Sequence, residues 1–373
     1  MRLDGHLLSD ATRASTSRVD DVVRAVCGLQ AQDRRAYPLS VRARSTGLTA
    51  DDVVRARVDD RTVVRNWFMR GTLHLVASDD AVWLLPLLGP VLVRMAATRR
   101  AQLGLTDDIY ARALHVIRSA LASQGPLRRS QIAELLRSAG IDSSEQRNIF
   151  VLNRAASEGV ICHGPPAGGD SAFALTSDWL GTRWPPQLLT ADSPQRDALL
   201  TELARRYLTA HAPAEPRDFA TWSGLPVSDA RRAWRSLATE LAEVRLRGQP
   251  AWILATQHDR AAAELAAHPG APSVRLVPIF DGYLLGHRTR DLTVPDDHAR
   301  RILPGGGWLN ATVLADGVGV AGWTTTHTSD AMHITVTPFD HWDPSLDAAV
   351  DAEVADMARF LGTSATWDVS ARA

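Results

Sequence analysis

The sequence predicts an α+β fold, and three observations support this prediction. One pattern of a helix, a short turn, a second helix and a hairpin-like pair of β-prone runs recurs three times. From about Pro272 onward, short β-prone runs alternate instead with Gly/Pro turns. A chain of 373 residues that is 45% hydrophobic is long and apolar enough for two to four domains with cores. The repeated order of elements is that of a winged helix, so we expect three tandem winged-helix units followed by a C-terminal β-rich module.

The first copy, over residues 1–105, is the most divergent of the three. In it a helical run ends at the hexapeptide Gly28-Leu29-Gln30-Ala31-Gln32-Asp33. The predicted elements are helices over 19–29 and 50–58, the second capped by Thr49, and a hairpin of 63–69 with 73–76 across Arg70-Gly71-Thr72.

The second copy, over residues 106–190, shows the pattern most clearly. Gly125-Pro126 separates its first two helices, and Gly140 ends the second of them. We predict helices over 110–123, 129–139 and 145–158, the last capped by Ser143 or Ser144, and wing strands over 160–163 and 173–175 that flank a Gly/Pro-rich loop over 164–169.

The third copy covers residues 191–258, and the β-rich module covers residues 259–373. In the third copy we predict helices over 195–209, 216–222 and 229–237, a turn at Gly224-Leu225-Pro226, a cap at Ser228, and a wing of 241–247 and 251–254 around Gly248-Gln249-Pro250. In the module we predict strands over 274–280, 312–315, 318–324 and 332–336 and a closing helix over 346–361.

The composition excludes several kinds of chemistry. The chain contains no lysine, so all 41 basic residues are arginine. A Schiff base, a phosphate-loop lysine and a pyridoxal phosphate site are therefore excluded. The net charge of −1 argues against a surface coated in positive potential, although arginines can still cluster on one face.

The compartment is predicted from cysteines and apolar runs. Cys27 and Cys162 are far apart and form neither a disulfide framework nor a CxxC site, which favours a reducing cytoplasm. No signal peptide is visible, and the most apolar stretch, over 83–93, is too short to span a bilayer and contains Pro86 and Pro90. We expect a cytoplasmic protein with no membrane association, and a monomer, because no heptad pattern or exposed apolar stripe is present.

Most motifs that would carry a metal or a cofactor are absent from the sequence. There is no HExxH, no Cys/His ligand spacing, no GxSxG and no GxGxxG after a strand. Gly305-Gly306-Gly307 lacks the strand–loop–helix context of a phosphate cradle and is interpreted as a turn. Adjacent carboxylates mostly stand where they cap helices, at positions 51–52, 59–60, 107–108 and 296–297. We therefore predict neither a metal site nor a cofactor.

Two amides, Gln30 and Gln32, form the main candidate for chemistry. Side chains at positions i and i+2 face the same side only where the backbone is extended. Two neutral amides on one side can hold a water molecule or a substrate edge, since each offers a donor and an acceptor. They do not titrate, so they suit a reaction whose leaving group is already activated. An ordinary helix end remains the alternative interpretation of this pair.

A second candidate feature is a pair of arginines. Arg231 and Arg235 lie one turn apart on the predicted recognition helix of the third copy, where they can contact phosphates. A merely solvated helix face is the competing interpretation. On the first hairpin, Arg70, Thr72 and His74 are the predicted DNA contacts.

Three segments together resemble a known family. They are Gly28-Leu29-Gln30-Ala31-Gln32, the stretch from Arg65-Asn66 through Arg70-Gly71-Thr72-Leu73-His74-Leu75, and Phe280-Asp281-Gly282-Tyr283-Leu284-Leu285-Gly286. The chain resembles, over essentially its whole length, the winged-helix alkylpurine DNA glycosylases of the AlkZ/YcaQ group. The catalytic motif of that family is glutamine, an apolar residue, then glutamine or aspartate, so the resemblance implies catalytic roles for Gln30 and Gln32. Glutamine at position 32 resembles the AlkZ-like branch, whereas Gly282 departs from the proline that the family usually has after the aspartate.

The resemblance implies a function on damaged DNA. The expected substrate is double-stranded DNA that carries N7-alkylguanine, and in the AlkZ-like branch an interstrand crosslink made by a genotoxic natural product, which would give self-resistance. An N7-alkylguanine is cationic and leaves without an enzyme acid, through an oxocarbenium-like sugar. The enzyme then has to place water and stabilise the developing charge. The absence of lysine predicts a monofunctional glycosylase that leaves an abasic site.

Two non-enzymatic alternatives stay open on the sequence alone. The first is a winged-helix transcriptional regulator in which Gln30 and Gln32 only cap a helix. Winged helices also serve as protein-docking modules, so the fold alone does not decide the function. The second is a protein that sequesters the free genotoxin without any chemistry.

Overall fold

A computed structural model describes residues 1–167, 170–181, 193–266, 272–328 and 331–370. These residues form a mixed α+β structure, as predicted. The chain divides into two compact units, of which the first combines residues 1–54 and 201–373 and the second contains residues 55–200. The domain boundaries predicted after residues 105, 190 and 258 stay predictions, and the second of them falls outside the described residues.

Helices and strands are numbered in chain order. The helices are α1 (Arg2–Gly5), α2 (Val19–Ala25), α3 (Ala36–Ala43), α4 (Ala50–Val58), α5 (Ser78–Met95), α6 (Ala97–Gln102), α7 (Asp107–Gln124), α8 (Arg129–Ser138), α9 (Arg147–Ser157), α10 (Thr176–Leu180), α11 (Pro194–His211), α12 (Pro216–Ser223), α13 (Val227–Ser236), α14 (His258–Ala266), α15 (Ala299–Ile302) and α16 (Asp347–Leu361). The strands are β1 (Leu29–Gln30), β2 (Val63–Trp67), β3 (Leu73–Ala77), β4 (Leu127–Arg128), β5 (Ile161–Ala167), β6 (Asp170–Leu175), β7 (Leu241–Leu246), β8 (Gln249–Leu254), β9 (Val274–Val277), β10 (Thr312–Ala315), β11 (Val318–His327), β12 (Ala331–Pro338) and β13 (Ser364–Val369).

The second unit follows the element order of a winged helix. From α7 to β6 the chain runs helix, strand, helix, helix and hairpin, and its strands have the order β3-β2-β5-β6-β4. The β5–β6 hairpin corresponds to the wing predicted for the second copy. The most apolar stretch, over 83–93, lies within α5 and is largely buried, although Pro86 and Pro90 are inside the helix.

Two local predictions in this unit are wrong. Neither serine caps α9, which begins only at Arg147, because the Ser143 hydroxyl donates instead to the carbonyl of Ala133 at 2.9 Å. The predicted loop over 164–169 is partly strand, since β5 continues to Ala167 and pairs there with β6. Gly168 and Gly169 lie outside the described residues.

The third copy of the pattern, α11 to β8, belongs to the first unit from residue 201 onward. Gly224 ends α12 in the left-handed conformation, with φ of 79°. The predicted cap at Ser228 is wrong, because α13 already begins at Val227 after Pro226, which leaves the serine inside the first turn. The β7–β8 hairpin turns at Arg247 and Gly248, both at positive φ, as a two-residue hairpin turn requires.

The C-terminal module is a five-stranded sheet in the order β13-β12-β11-β10-β9. Its core contains Leu276, Val313, Ile334 and Val336, and α16 packs on it through Val350 and Met357, all of them buried. The predicted helix over 346–361 corresponds to α16, which is a crossover to a further strand, β13, that was not predicted and that pairs parallel to β12. In β13, Ala365 and Trp367 alternate with polar residues and pack against the core of the module, whereas the strand as a whole is largely exposed.

Two turn and cap predictions are confirmed. The Thr49 hydroxyl accepts from the Asp52 amide at 3.3 Å at the start of α4. Gly305, Gly306 and Gly307 all have positive φ, and the Trp308 amide donates to the Gly305 carbonyl at 3.0 Å, which closes a turn.

Candidate active site

The Gln30–Gln32 segment begins where α2 ends. The predicted helix over 19–29 is too long, because Cys27 and Gly28 take positive φ values of 56° and 100° and turn the chain. The Gly28 amide donates to the Val23 carbonyl at 2.9 Å and closes the helix end. Leu29 and Gln30 then form β1, so the backbone is extended at the first of the two amides.

The two amides meet each other. Gln30 Nε2 donates to Gln32 Oε1 at 2.7 Å. Gln30 is only 7% exposed and stands between Leu29 and Ala31, which are fully buried, whereas Gln32 is exposed. The pair therefore combines an inner amide that the core holds in place with an outer amide that a ligand can reach.

The carboxylate next in sequence, Asp33, has a structural task. Its Oδ1 accepts from the backbone amides of Arg35 at 2.7 Å and Ala36 at 2.9 Å. These bonds satisfy amide groups at the start of α3, which has no intrahelical partners for them. Asp33 thus ties the end of the glutamine segment to α3.

A buried ion pair fixes α3 in turn. Arg44, just after α3, donates to both carboxylate oxygens of Asp281, at 2.7 and 2.8 Å. Ser40 Oγ donates to the same carboxylate at 3.1 Å, and the Tyr283 amide donates to it at 3.0 Å. Burial alone would raise the pKa of Asp281, but the charge and hydrogen bonds of Arg44 outweigh it and lower the pKa. The Phe-Asp-Gly-Tyr segment is thus a clamp on the helix that follows the glutamine pair.

A second buried pair acts on the same helix. Arg42 Nη1 donates to Glu353 Oε2 at 3.0 Å, and Arg42 Nη2 donates to the Leu276 carbonyl at 2.6 Å. Arg275 bonds the other oxygen of Glu353. Burial would raise the pKa of Glu353, but Arg42 and Arg275 lower it. These residues were not predicted from the sequence, although two arginines two positions apart near the end of a predominantly apolar helix were a usable signal.

The predicted contacts on the first hairpin differ in exposure. Arg70 lies in the turn between β2 and β3 at φ 57°, and both it and Thr72 are partly exposed. His74 is 3% exposed, and its Nδ1 is 3.0 Å from the Thr72 carbonyl. Burial lowers the pKa of His74 to about 3, so its ring is neutral. This ring bonds the hairpin backbone and is not placed to meet a phosphate.

The two predicted arginines of the third copy lie on α13 and are exposed. Arg231 and Arg235 are four residues apart, one helical turn, so they share a face. Both line a surface groove together with Trp234 and Trp252. Their neighbour Arg232 instead pairs with Asp229 at 3.0 Å. Within the described part of the chain, no cluster of three His, Cys, Asp or Glu side chains is placed to hold a metal ion.

Comparison with known proteins decides the family. The family model described as "DNA glycosylase AlkZ-like" matches residues 23–360, which include the glutamine pair, the first hairpin and the Asp281 clamp. The chain belongs to the AlkZ-like DNA glycosylase family. It is therefore an enzyme whose substrate is DNA, and the two non-enzymatic alternatives lose their support.

Two similar proteins come from Streptomyces sahachiroi. An interstrand DNA cross-link repair glycosylase is 30% identical over 383 residues, which cover 97% of this chain and 95% of that protein. The solved structure of the DNA glycosylase AlkZ matches with a TM-score of 0.78 and 26% identity, over 99% of this chain and 97% of the other. Among the described residues of the present chain, no helix combines the length and the apolar character that a membrane span needs.

Proposed function

We propose that this glycosylase is monofunctional, that it hydrolyses the N-glycosidic bond of N7-alkylated guanine, and that it unhooks interstrand crosslinks. Gln30 and Gln32 are the proposed catalytic residues, and double-stranded DNA that carries such lesions is the proposed partner. The hydrogen bond between the two amides carries this proposal, since it joins a buried and an exposed neutral polar group into one pair. The similar glycosylase of Streptomyces sahachiroi acts in interstrand cross-link repair, which supports the second part. Self-resistance to a genotoxic natural product is the proposed biological role.

The chemistry follows from the charge on the base. In N7-alkylguanine the ring is cationic, so the bond between N9 and C1′ breaks with its electron pair moving to the base and neutralising it. Water adds to C1′ of the oxocarbenium-like sugar and releases a proton to solvent. No protein acid is needed for departure of the base, which suits a pair that cannot titrate.

The exposure of the two amides suggests different roles. We assign Gln32, the exposed amide, to contact with the attacking water or the sugar. We assign Gln30, held in the core, to orienting Gln32 through the 2.7 Å hydrogen bond. A misplaced amide costs rate because catalysis depends on a near-attack geometry. Loss of either side chain should therefore lower the rate of base release.

DNA contacts are proposed at exposed basic residues. Arg231 and Arg235 share one face of α13 and would contact phosphates, with a salt dependence that scales with the number of phosphates neutralised. Arg70 and Thr72 at the hairpin turn are proposed contacts as well, while His74 supports the turn from inside. Monomeric action stays our expectation.

The test measures base release. Duplexes with a single N7-methylguanine, and duplexes with a nitrogen-mustard crosslink, are incubated with wild type, Gln30→Ala, Gln32→Ala and the control Gln124→Ala, an exposed glutamine at the end of α7. We expect release by wild type and the control, and at least a tenfold loss in both site variants. Full activity of both site variants would refute the amide mechanism. A borohydride-trapped adduct with DNA would refute the monofunctional assignment.

A further inference from the structure

The third copy of the pattern carries a surface groove of about 480 Å³ that α13 and the β7–β8 hairpin line together. Helix α13 contributes Arg231, Trp234 and Arg235, and the hairpin contributes Glu243 and Trp252. All of these residues belong to the first unit, and none of them belongs to the segment of the glutamine pair. The groove is therefore separate in sequence from the candidate active site.

Two arginines stand at the groove without an ion pair. Arg231 and Arg235 are exposed, and neither side chain bonds another residue in the part of the chain that the structure describes. By contrast, Arg232 on the same helix is held by Asp229 at 3.0 Å. A guanidinium without a protein partner keeps its donors for phosphate or carboxylate oxygens that arrive from solvent.

Two indole rings give the groove an aromatic wall. Trp252 is partly exposed, whereas Trp234 is 7% exposed and packs on Phe219, with ring centroids 5.8 Å apart. The Nε1 of Trp234 finds no acceptor among the described residues, so one donor in the lining is unsatisfied. A phosphate alone would leave the Trp252 ring uncovered. The groove therefore fits a ligand that combines a flat ring with a negative charge.

A carboxylate in the lining narrows the choice of ligand. Glu243 pairs with Trp252 across the β7–β8 ladder, so both side chains stand on one face of the hairpin. A carboxylate only accepts hydrogen bonds, and it repels a ligand that is anionic throughout, such as an acidic peptide. A nucleobase offers N–H donors on its Watson–Crick edge, and that edge is available only when the base is unpaired.

We propose that this groove binds one unpaired nucleotide of DNA. The base stacks on Trp252 with its Watson–Crick edge toward Glu243, and the flanking phosphates contact Arg231 and Arg235. Inside a duplex both faces of a base are covered by its neighbours, so only a single-stranded or extruded nucleotide offers a face to the indole. The proposal extends the phosphate contacts proposed above for the two arginines, and it does not depend on the chemistry of the glutamine pair.

The experiment compares two labelled strands that share a phosphate backbone. One is a twelve-nucleotide oligothymidylate, and the other is a strand of the same length in which every residue is a tetrahydrofuran abasic unit. Fluorescence anisotropy gives the Kd of each strand for the full chain as wild type, Trp252→Leu, Trp252→Phe and Trp308→Leu. Trp308 is the matched control, because it is a tryptophan with 49% exposure that does not line the groove.

Wild type should bind the thymidylate strand at least fivefold more tightly than the abasic strand, since stacking on an aromatic side chain is available to any base. Trp252→Leu should bind both strands as weakly as wild type binds the abasic one. Trp252→Phe should recover the preference, and Trp308→Leu should retain it. Equal binding of the two strands by wild type would overturn the assignment. So would a preference that survives in Trp252→Leu, or an equal loss of both strands in that variant, because a stacking site acts on the base alone.

The phosphate contacts are tested through the salt dependence. Arg231→Gln combined with Arg235→Gln should lower the slope of log Kd against log salt by about 1.4, because each phosphate neutralised on a single strand contributes about 0.7. An unchanged slope would refute these contacts. Displacement of the thymidylate strand by an equal concentration of hexaglutamate would overturn the proposal and assign the groove to an acidic peptide.

Release of N7-methylguanine from a duplex is measured in parallel, which separates this proposal from the proposed function. Base release by a wild-type protein that binds both strands equally would refute the groove and leave the proposed function standing. A base preference at the groove without any base release would refute the proposed function and leave the groove standing.

Discussion

Asp281→Asn should destabilise the first unit by about 3–5 kcal/mol. The side chains of Arg44 and Asp281 are both fully buried, and two hydrogen bonds of 2.7 and 2.8 Å join them. Asparagine keeps the shape but removes the negative charge, so the guanidinium remains in the interior without a counter-charge. Breaking one side of a buried ion pair typically costs about this amount, because the remaining charge is desolvated and unpaired.

Differential scanning calorimetry is the suitable assay, because the chain forms two compact units whose transitions can separate. For a unit of this size, about 2–4 °C of melting temperature corresponds to 1 kcal/mol. We therefore expect a fall of about 6–20 °C in one transition. The control is Asp291→Asn, which removes the partner of Arg247 at 2.5 Å, where the side chains are 42% and 60% exposed. An exposed pair of this kind is worth at most about 1 kcal/mol.

A second variant separates the loss of charge from the loss of packing. Replacing both partners, with Arg44→Met and Asp281→Leu together, removes the two charges at once and should recover much of the stability lost in Asp281→Asn. Equal shifts in Asp281→Asn and in the surface control would refute the reasoning. So would a double variant that melts no higher than Asp281→Asn.

Three further predictions concern individual side chains. Gln32→Glu should keep the oxygen that accepts from the Gln30 amide. Its rate of base release should decline as the pH falls below about 4.5, where the new carboxylate takes up a proton, whereas the wild-type pair adds no titration of its own. Identical pH profiles for the two proteins would contradict this. Burial lowers the folded-state pKa of His74 to about 3 and of His287 to about 4. Both histidines are neutral in the folded protein and bind protons when it unfolds, so their contribution to the free energy of unfolding is full above about pH 6.5 and falls as the pH drops. Each histidine should lower the free energy of unfolding by about 2 kcal/mol at pH 5 relative to pH 7. Melting temperatures at pH 7 and pH 5 measure this loss. Gly282→Ala should leave the melting temperature unchanged or raise it slightly, because nothing lies within 4 Å of the added Cβ and the φ of this glycine is not positive; a loss above 1 kcal/mol would show that the segment requires glycine.

The sequence predicted those features that depend on local patterns. The turn at Gly305–Gly307, the cap at Thr49 and the winged-helix order from α7 to β6 all follow from residues close together in the chain. The errors also have local causes. Cys27 takes a positive φ that its identity does not favour, so the helix ends earlier than predicted. Strand β13 was missed although Ala365, Trp367 and Val369 alternate with polar residues; its partner β12 lies on the other side of the α16 crossover in sequence.

The buried ion pairs that hold the candidate site in place could not be predicted from local patterns in the sequence. Arg44 and Asp281 are 237 residues apart in sequence, and Arg42 and Glu353 are 311 apart. No periodicity or spacing links such positions, since only the folded chain brings them together. The segment around Asp281 was noted through family resemblance, and its mechanical role emerged only from the hydrogen bonds to Arg44 and Ser40.

The chemistry of the pair explains how the proposed enzyme would spare normal DNA. Gln30 and Gln32 offer hydrogen bonds but no full charge, and the adjacent Asp33 carboxylate is engaged by two backbone amides. A site of this kind supplies less stabilisation to an oxocarbenium-like sugar than a free carboxylate would, because a neutral dipole attracts a cation less strongly than an anion does. An unmodified purine is a poor leaving group and requires that missing stabilisation, whereas a cationic N7-alkylguanine already carries the driving force for departure. If Gln30 and Gln32 act as proposed, selectivity for damaged bases would follow from the weakness of this pair, without a pocket that has to reject normal bases by shape.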